Sequence, residues 1–182
     1  MKKILIVVDV QNDFVDGVLG NKEAQAIIPN VKKKISEYQQ RGDYIIFTRD
    51  THDSNYLNTP EGKKLPVEHC IKGTNGWQIG IEIVPSSYKI IDKQTFGYEK
   101  WNIVFVDVLE DTNYTLDPCE ADIEIIGLDT DICVITNALF IKTLCPEANI
   151  TVDASCCAGS TPDNHEAALK VMKMCQIDVI GE

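Results

Sequence analysis

Six short apolar, β-branched runs recur along this chain and limit what it can fold into: Ile4–Val8, Tyr44–Thr48, Tyr88–Ile91, Ile123–Ile126, Ile150–Val152 and Ile177–Ile180. Runs that are apolar throughout, rather than alternating, predict strands buried on both faces, the condition of a parallel sheet between helices. Helical patterns fall between several of them. Pro29 suits a first helical turn, Val31, Ile35 and Tyr38 share one face, and Gly42 supplies the stop. A second helix is expected from Asp131 through Ala138 and Leu139 to Leu144. A third starts at Thr161-Pro162, with Ala168, Val171, Met172 and Cys175 on one stripe. Strands alternating with helices predict a three-layer α/β fold, a mainly parallel central sheet flanked by helices, in one domain over residues 1–182. Asp50 to Gly80 shows little periodicity, and so long a loop inside a compact domain is usually functional. Trp101–Leu109 fits strand or helix equally well.

The chain is long enough to bury a real core, with 182 residues of which 44% are hydrophobic. Lys plus Arg is 17 against 28 Asp plus Glu, a formal charge of -11. Such a chain repels phosphate backbones, so no nucleic-acid partner is expected. Lys32, Lys33 and Lys34 read as the solvated face of a helix. Met1-Lys2-Lys3 and the run after it briefly imitate a signal peptide, but the run is too short and Asp9 ends it. No segment approaches transmembrane length, so no membrane partner is expected. Seven cysteines, an odd count without regular spacing, fit free thiols in a reducing compartment, hence a cytoplasmic protein.

In an open α/β sheet, ligands sit outside the carboxyl ends of the strands. Three polar signals lie there. Asp9 ends the first strand, inside Asp9-Val10-Gln11-Asn12-Asp13-Phe14. Lys93 follows the Tyr88–Ile91 run, inside Asp92-Lys93-Gln94-Thr95-Phe96. Cys133 follows Ile123–Ile126 and a turn, inside Gly127-Leu128-Asp129-Thr130-Asp131-Ile132-Cys133-Val134. Cys133 falls in the first turn of the expected helix, where unpaired N–H groups and the helix dipole favour a thiolate and can hold an oxyanion. Lys93 would lower the thiol pKa further, and Asp9 could accept its proton. Asp129 and Asp131 oppose a thiolate, so their side chains should turn away into capping bonds. From spacing alone, Cys133 reads as a small buried apolar residue, the commonest fate of a cysteine. Cys70, Cys156, Cys157 and Cys175 have no comparable electropositive setting and read as packing. Asp50-Thr51-His52 after a strand, with His69 in the long loop, offers two imidazoles and a carboxylate for a divalent ion. Local hydrogen bonding is the competing reading there. His165 reads as structural.

Together these motifs resemble the isochorismatase-like cysteine hydrolase superfamily, and within it the nicotinamidases, over most of the chain. The Asp9–Phe14 segment resembles the family's first catalytic motif. Lys93 with Phe96 resembles the catalytic lysine segment, and Thr130–Val134 the nucleophile motif. The resemblance implies catalytic roles for Asp9, Lys93 and Cys133. It implies a cis peptide at Leu128–Asp129 that shapes an oxyanion hole with Cys133, and a substrate pocket that includes Phe14, Trp77 and Phe96. Asp50, His52 and His69 match the nicotinamidase metal ligands, which implies a divalent metal cofactor, zinc by preference. His69-Cys70-Ile71-Lys72-Gly73-Thr74 matches the family's His-Cys-x-x-Gly-Thr segment.

Two departures stand out. Nicotinamidases usually carry a Trp shortly before the third metal ligand, and Leu65-Pro66-Val67-Glu68 contains no aromatic. Asp129 stands where a small apolar residue is common. Trp77 or Trp101 could supply the missing ring. The implied activity is hydrolysis of a small carboxamide, nicotinamide by preference, through a thioester. The partner is thus a small-molecule amide; a homo-oligomer is compatible with the sequence. A carbamoyl or other small amide, or a non-catalytic binding or redox protein on the same scaffold, are the competing readings.

Overall fold

The structure, a computed structural model, describes residues 3–82, 88–110 and 121–182. Strands β1 (Lys3–Val8), β2 (Tyr44–Asp50), β3 (Lys89–Lys93), β4 (Asp122–Leu128), β5 (Asn149–Ala158) and β6 (Asp178–Ile180) coincide with the six apolar runs. They form one sheet of order β3-β2-β1-β4-β5-β6, parallel at every pairing. Leu5, Ile6, Val7 and Val8 are fully buried, so both faces of the central strand are covered. The helices are α1 (Asn12–Val15), α2 (Lys22–Arg41), α3 (Pro60–Lys64), α4 (Trp101–Glu110), α5 (Ile135–Leu144) and α6 (Pro162–Met174). Helix α2 lies across β1, β2, β4 and β5, while α4, α5 and α6 pack on one another in a second helical layer. The architecture is three-layer α/β. Among the described residues no helix is long and apolar enough to cross a membrane.

Strand order reverses between β1 and β4. Connections from β1 lead outward to β2 and β3, and the chain then returns to β4 and continues outward to β5 and β6. A reversal of this kind leaves a crevice at the carboxyl ends of the two central strands. Gly127 makes the close approach possible there. Its φ is +126°, and a Cβ at this position would meet the Val8 carbonyl oxygen at 2.0 Å.

Several expectations are corrected. Helix α2 starts at Lys22, capped by Asn21 accepting from the Ala24 N–H at 2.7 Å, and Pro29 lies in its interior. The buried face Ala24, Ile27, Val31, Ile35 and Tyr38 runs past the proline. Burial along the whole helix thus outweighs one missing backbone hydrogen bond. Gly42 ends α2 in the left-handed conformation, as expected. Trp101–Glu110 is helix. Helix α6 is capped by Thr161, but its buried stripe is Ala168, Leu169 and Met172, while Val171 and Cys175 are exposed. The Asp50–Gly80 segment contains α3 and a 3-10 turn at Tyr56–Asn58, and short bridges pair His52 with Ile71 and Gln11 with Ile79. Among the described residues Cys70, Cys133, Cys156, Cys157 and Cys175 are free thiols; Cys119 lies outside them.

Lys34 is not part of a solvated face. Its Nζ lies 2.6 Å from Glu124 and 2.8 Å from Asp153, and its side chain is 17% exposed. The Tyr38 hydroxyl donates to the same Glu124 at 2.6 Å. Lys34→Ala leaves two carboxylates facing each other without their cation. The expected loss is about 2–3 kcal/mol, discounted from a fully buried pair for partial exposure. Lys32→Ala, on the exposed face, should stay within about 0.5 kcal/mol of wild type. Urea midpoints at unchanged slope test both. Equal, small losses at the two lysines would show that the network contributes nothing.

Candidate active site

Asp9 follows the last residue of β1, and the chain turns there with φ at +48°, a conformation uncommon outside glycine. Two partners hold it. The Thr48 hydroxyl, from β2, donates to Asp9 Oδ1 at 2.7 Å, and Lys93 Nζ stands 2.6 Å from Oδ2. Lys93 ends β3, two strands away from β1. In the β2–β3 register it pairs with Asp50. Its long side chain crosses the end of β2 to reach Asp9, then lies 3.5 Å from Cys133 Sγ and 3.8 Å from Asp50 Oδ1. Cys133 sits in a single π-helical turn, Thr130–Val134, that leads from β4 into α5. The Leu128–Asp129 peptide before it is cis. Asp9, Lys93 and Cys133 are all buried.

Burial is the largest influence on these groups. It pushes the Cys133 thiol well above its ordinary range, and Asp9 adds to the rise more than Lys93 opposes it. The surroundings thus oppose the thiolate that a helix start favours, and the Asp9 carboxyl stands beside the sulfur. Burial alone would lower Lys93, but Asp9, Cys133 and Asp50 hold it above its ordinary value, so it is an ammonium. Among the described residues, Cys175 is the exposed free thiol, and Cys133 is buried.

Asp50, His52 and His69 converge beside this cluster. Their ligand atoms lie within 4.8 Å of one another, and all three residues are buried. His52 Nε2 is 2.9 Å and His69 Nε2 3.5 Å from Asp50 Oδ2. The His69 Nδ1 lies 2.8 Å from the Val67 carbonyl. A carbonyl can only accept, so Nδ1 carries the proton and Nε2 offers its lone pair inward. His52 Nε2 is buried with no aligned hydrogen-bond partner. Burial resists ionisation of Asp50, but the two imidazoles and Lys93 hold it well below the usual carboxylate range. Two inward nitrogens, one of them orphaned, and an ionised carboxylate suit a divalent cation such as zinc. His52→Ala should lower zinc stoichiometry after reconstitution, read by elemental analysis, and remove most of the thermal shift that zinc produces in wild type. Full zinc loading of that variant would rule this ligand set out.

Several positioning residues escaped the sequence reading. Gln11 donates to the Asp50 and Trp77 carbonyls, both at 2.9 Å, and accepts from the Asp50 N–H at 2.7 Å, tying the end of β2 to the segment after β1. Asp13 accepts from the Cys70 N–H at 2.7 Å. Asn137 donates to the Cys133 and Phe96 carbonyls at 2.8 and 3.1 Å. A buried Asn one helical turn after a candidate nucleophile was a readable signal; Glu61, 3.8 Å from His52, had none, since it lies in an aperiodic segment.

A cavity of about 610 Å³ opens over Cys133, Asp50 and His69, with Phe14, Phe96 and Ile132 among its walls. Trp77 is not among them. Its Nε1–H donates to Thr51 at 2.8 Å, and Arg49 stacks on its ring at 3.6 Å. Trp101 is fully buried on Phe105 and Tyr98, away from the cavity. Asp131 is turned away, accepting from the Ser160 N–H and hydroxyl at 2.8 and 2.6 Å. Asp129 differs from expectation: it makes no capping bond and lines the cavity. His165 Nδ1 lies 2.8 Å from the Thr130 hydroxyl, and the ring does not line this cavity.

Comparisons with known proteins agree with this architecture. A nicotinamidase from Schizosaccharomyces pombe is 26% identical over 213 residues, covering 98% of this chain and 92% of that protein. An uncharacterised isochorismatase family protein from Bacillus subtilis is 30% identical over 143 residues, 76% of this chain and 78% of that protein. The crystal structure of a Pyrococcus horikoshii pyrazinamidase in complex with zinc superposes with a TM-score of 0.81 at 26% identity, covering both chains fully. Residues 3–181 match the Isochorismatase domain. The parallel sheet, the crevice where its order reverses and this full-length match together make the chain a member of the isochorismatase family.

Proposed function

We propose that the protein, as one hydrolase domain, is a cysteine amidohydrolase acting on a small carboxamide, nicotinamide by preference. The observation that carries the reading is the meeting of Asp9, Lys93 and Cys133 under one cavity beside Asp50, His52 and His69. The relatives named above as nicotinamidase and pyrazinamidase support the substrate class.

Because the resting sulfur is a thiol, the first step requires a base, and Asp9 is beside it. Asp9 takes the Sγ proton as the sulfur attacks the carboxamide carbon. Lys93 stabilises the negative charge shared by carboxylate and sulfur. Backbone N–H groups at Asp129 and Cys133 hold the oxyanion. The C–N bond breaks, and ammonia leaves with the proton held by Asp9. Water then gives a proton to Asp9 and attacks the thioester carbon. The C–S bond breaks, the acid is released, and the thiol is restored from Asp9. A divalent ion held by Asp50, His52 and His69 would supply a coordination point for a ring nitrogen or a water.

Ammonia release from zinc-loaded protein tests this. Turnover of nicotinamide is expected at modest efficiency, because neither tryptophan reaches the cavity and only Phe14 and Phe96 offer rings for stacking. No release from nicotinamide alongside turnover of a non-aromatic amide would move the substrate to the carbamoyl or aliphatic class and leave the cysteine chemistry in place.

A further inference from the structure

The carboxylates around the nucleophile have partners, with one exception. Asp9 is held by Thr48 and Lys93, Asp50 by its imidazoles, and Asp131 by Ser160. Asp129 lines the cavity with Cys133, and among the described residues no hydrogen bond or ion pair reaches its side chain. It is not one of the groups that could close on a metal ion. Its neighbours do not neutralise it. Burial, Asp131 and Asp9 push its carboxyl up to about 7, and His69 only partly opposes them. The buried cation Lys93 is engaged by Asp9 at 2.6 Å.

A partly buried carboxyl without a partner is costly, and a ligand that supplies a charged donor removes that cost. The surroundings favour such a ligand. Glu61 also lines the cavity, the one lysine on its wall, Lys64, is exposed, Phe14 and Phe96 contribute aromatic rings, and the chain carries a formal charge of -11. We infer that Asp129 is a specificity determinant: its unpaired carboxylate on the cavity wall beside Cys133 selects carboxamides that also carry a protonated amine. The inference rests on the amidohydrolase reading for its substrate class, but amine selection by Asp129 can be read from binding alone.

The three ring isomers of piperidine carboxamide, each an ammonium at neutral pH, are compared with cyclohexanecarboxamide, a neutral ring of nearly the same shape. Turnover is followed with zinc-loaded wild type, Asp129→Asn and Asp129→Ser. Binding is followed by calorimetry on Cys133→Ala with and without the Asp129 changes. At least one amine isomer should exceed the neutral ring about tenfold or more, and either Asp129 change should bring that ratio to within about threefold. The ratio reads the carboxylate whatever the variants do to overall rate. If no amide is hydrolysed but the Asp129-dependent binding preference is present, the amidohydrolase reading fails and this inference stands. If amides are hydrolysed but amine and neutral rings behave alike, or the preference survives both Asp129 changes, this inference fails and the amidohydrolase reading stands. Absence of both turnover and binding overturns both.

Discussion

Cys133→Ala is expected to abolish amide turnover while leaving the fold intact. The substitution removes the one atom that can form the thioester, and the Sγ it deletes lies 3.5 Å from Lys93 Nζ and beside the Asp9 carboxyl. Asp9→Asn and Lys93→Ala should each cost on the order of 10²-fold or more in kcat/KM, because the groups act as one acid–base unit and their effects do not add. Steady-state ammonia release, with melting temperatures measured in parallel, separates chemistry from stability. Near-wild-type activity in Cys133→Ala would eliminate the thioester route.

Lys93→Met should be the most destabilising change in the site. Lys93 Nζ is fully buried between Asp9 at 2.6 Å and Asp50 at 3.8 Å. Without it, two buried acidic groups are left with no buried cation between them, a loss expected at about 3–5 kcal/mol. Burial and Asp50 already raise the Asp9 pKa, and removing Lys93 removes a group that opposes the rise. A carboxyl raised above its unfolded value contributes stability that is complete below the unfolded pKa and lost as pH rises through the folded one. The deficit of Lys93→Met relative to wild type should therefore be smallest in acid and grow toward neutral pH. Asp9→Asn combined with Lys93→Met should recover much of the loss, because the pair goes as a unit. Urea denaturation at several pH values measures all three proteins. A pH-independent deficit, or additive losses in the double variant, would show that the two groups are not an ion pair in the folded state.

The contrast between Lys34 and Lys93 shows why charged residues are hard to read in a sequence. Lys34 sits in a run of three lysines and looks solvated, yet its partners Glu124 and Asp153 come from β4 and β5. Nothing within a few residues of Lys34 signals carboxylates that are 90 and more positions away in the chain. Pro29 misleads in the same manner, since a local rule about helix starts cannot register the burial of a whole helical face. The family resemblance makes Trp77 a candidate for the pocket, but its packing on Arg49 and bond to Thr51 depend on how the long loop returns to the sheet.

What the sequence by itself determined is local and periodic. The six strands, the end of α2 at Gly42, the Thr161-Pro162 start of α6 and the placement of Asp9, Lys93 and Cys133 at strand ends all follow from hydrophobic runs and capping chemistry within a few residues, although the edge strand β6 is not buried as its run suggests. The tertiary structure alone decided how these ends combine. The reversal of strand order between β1 and β4 creates the crevice, and the β2–β3 register lets Lys93 reach across β2 to Asp9. Burial then shifts the balance in that group: a helix start favours a thiolate, but removal from water raises the Cys133 pKa, because desolvation acts on the charged form more strongly than Lys93 offsets it. The same dependence on surroundings leaves Asp129, among the described residues, without a partner on the cavity wall, a condition that no spacing along the chain could encode.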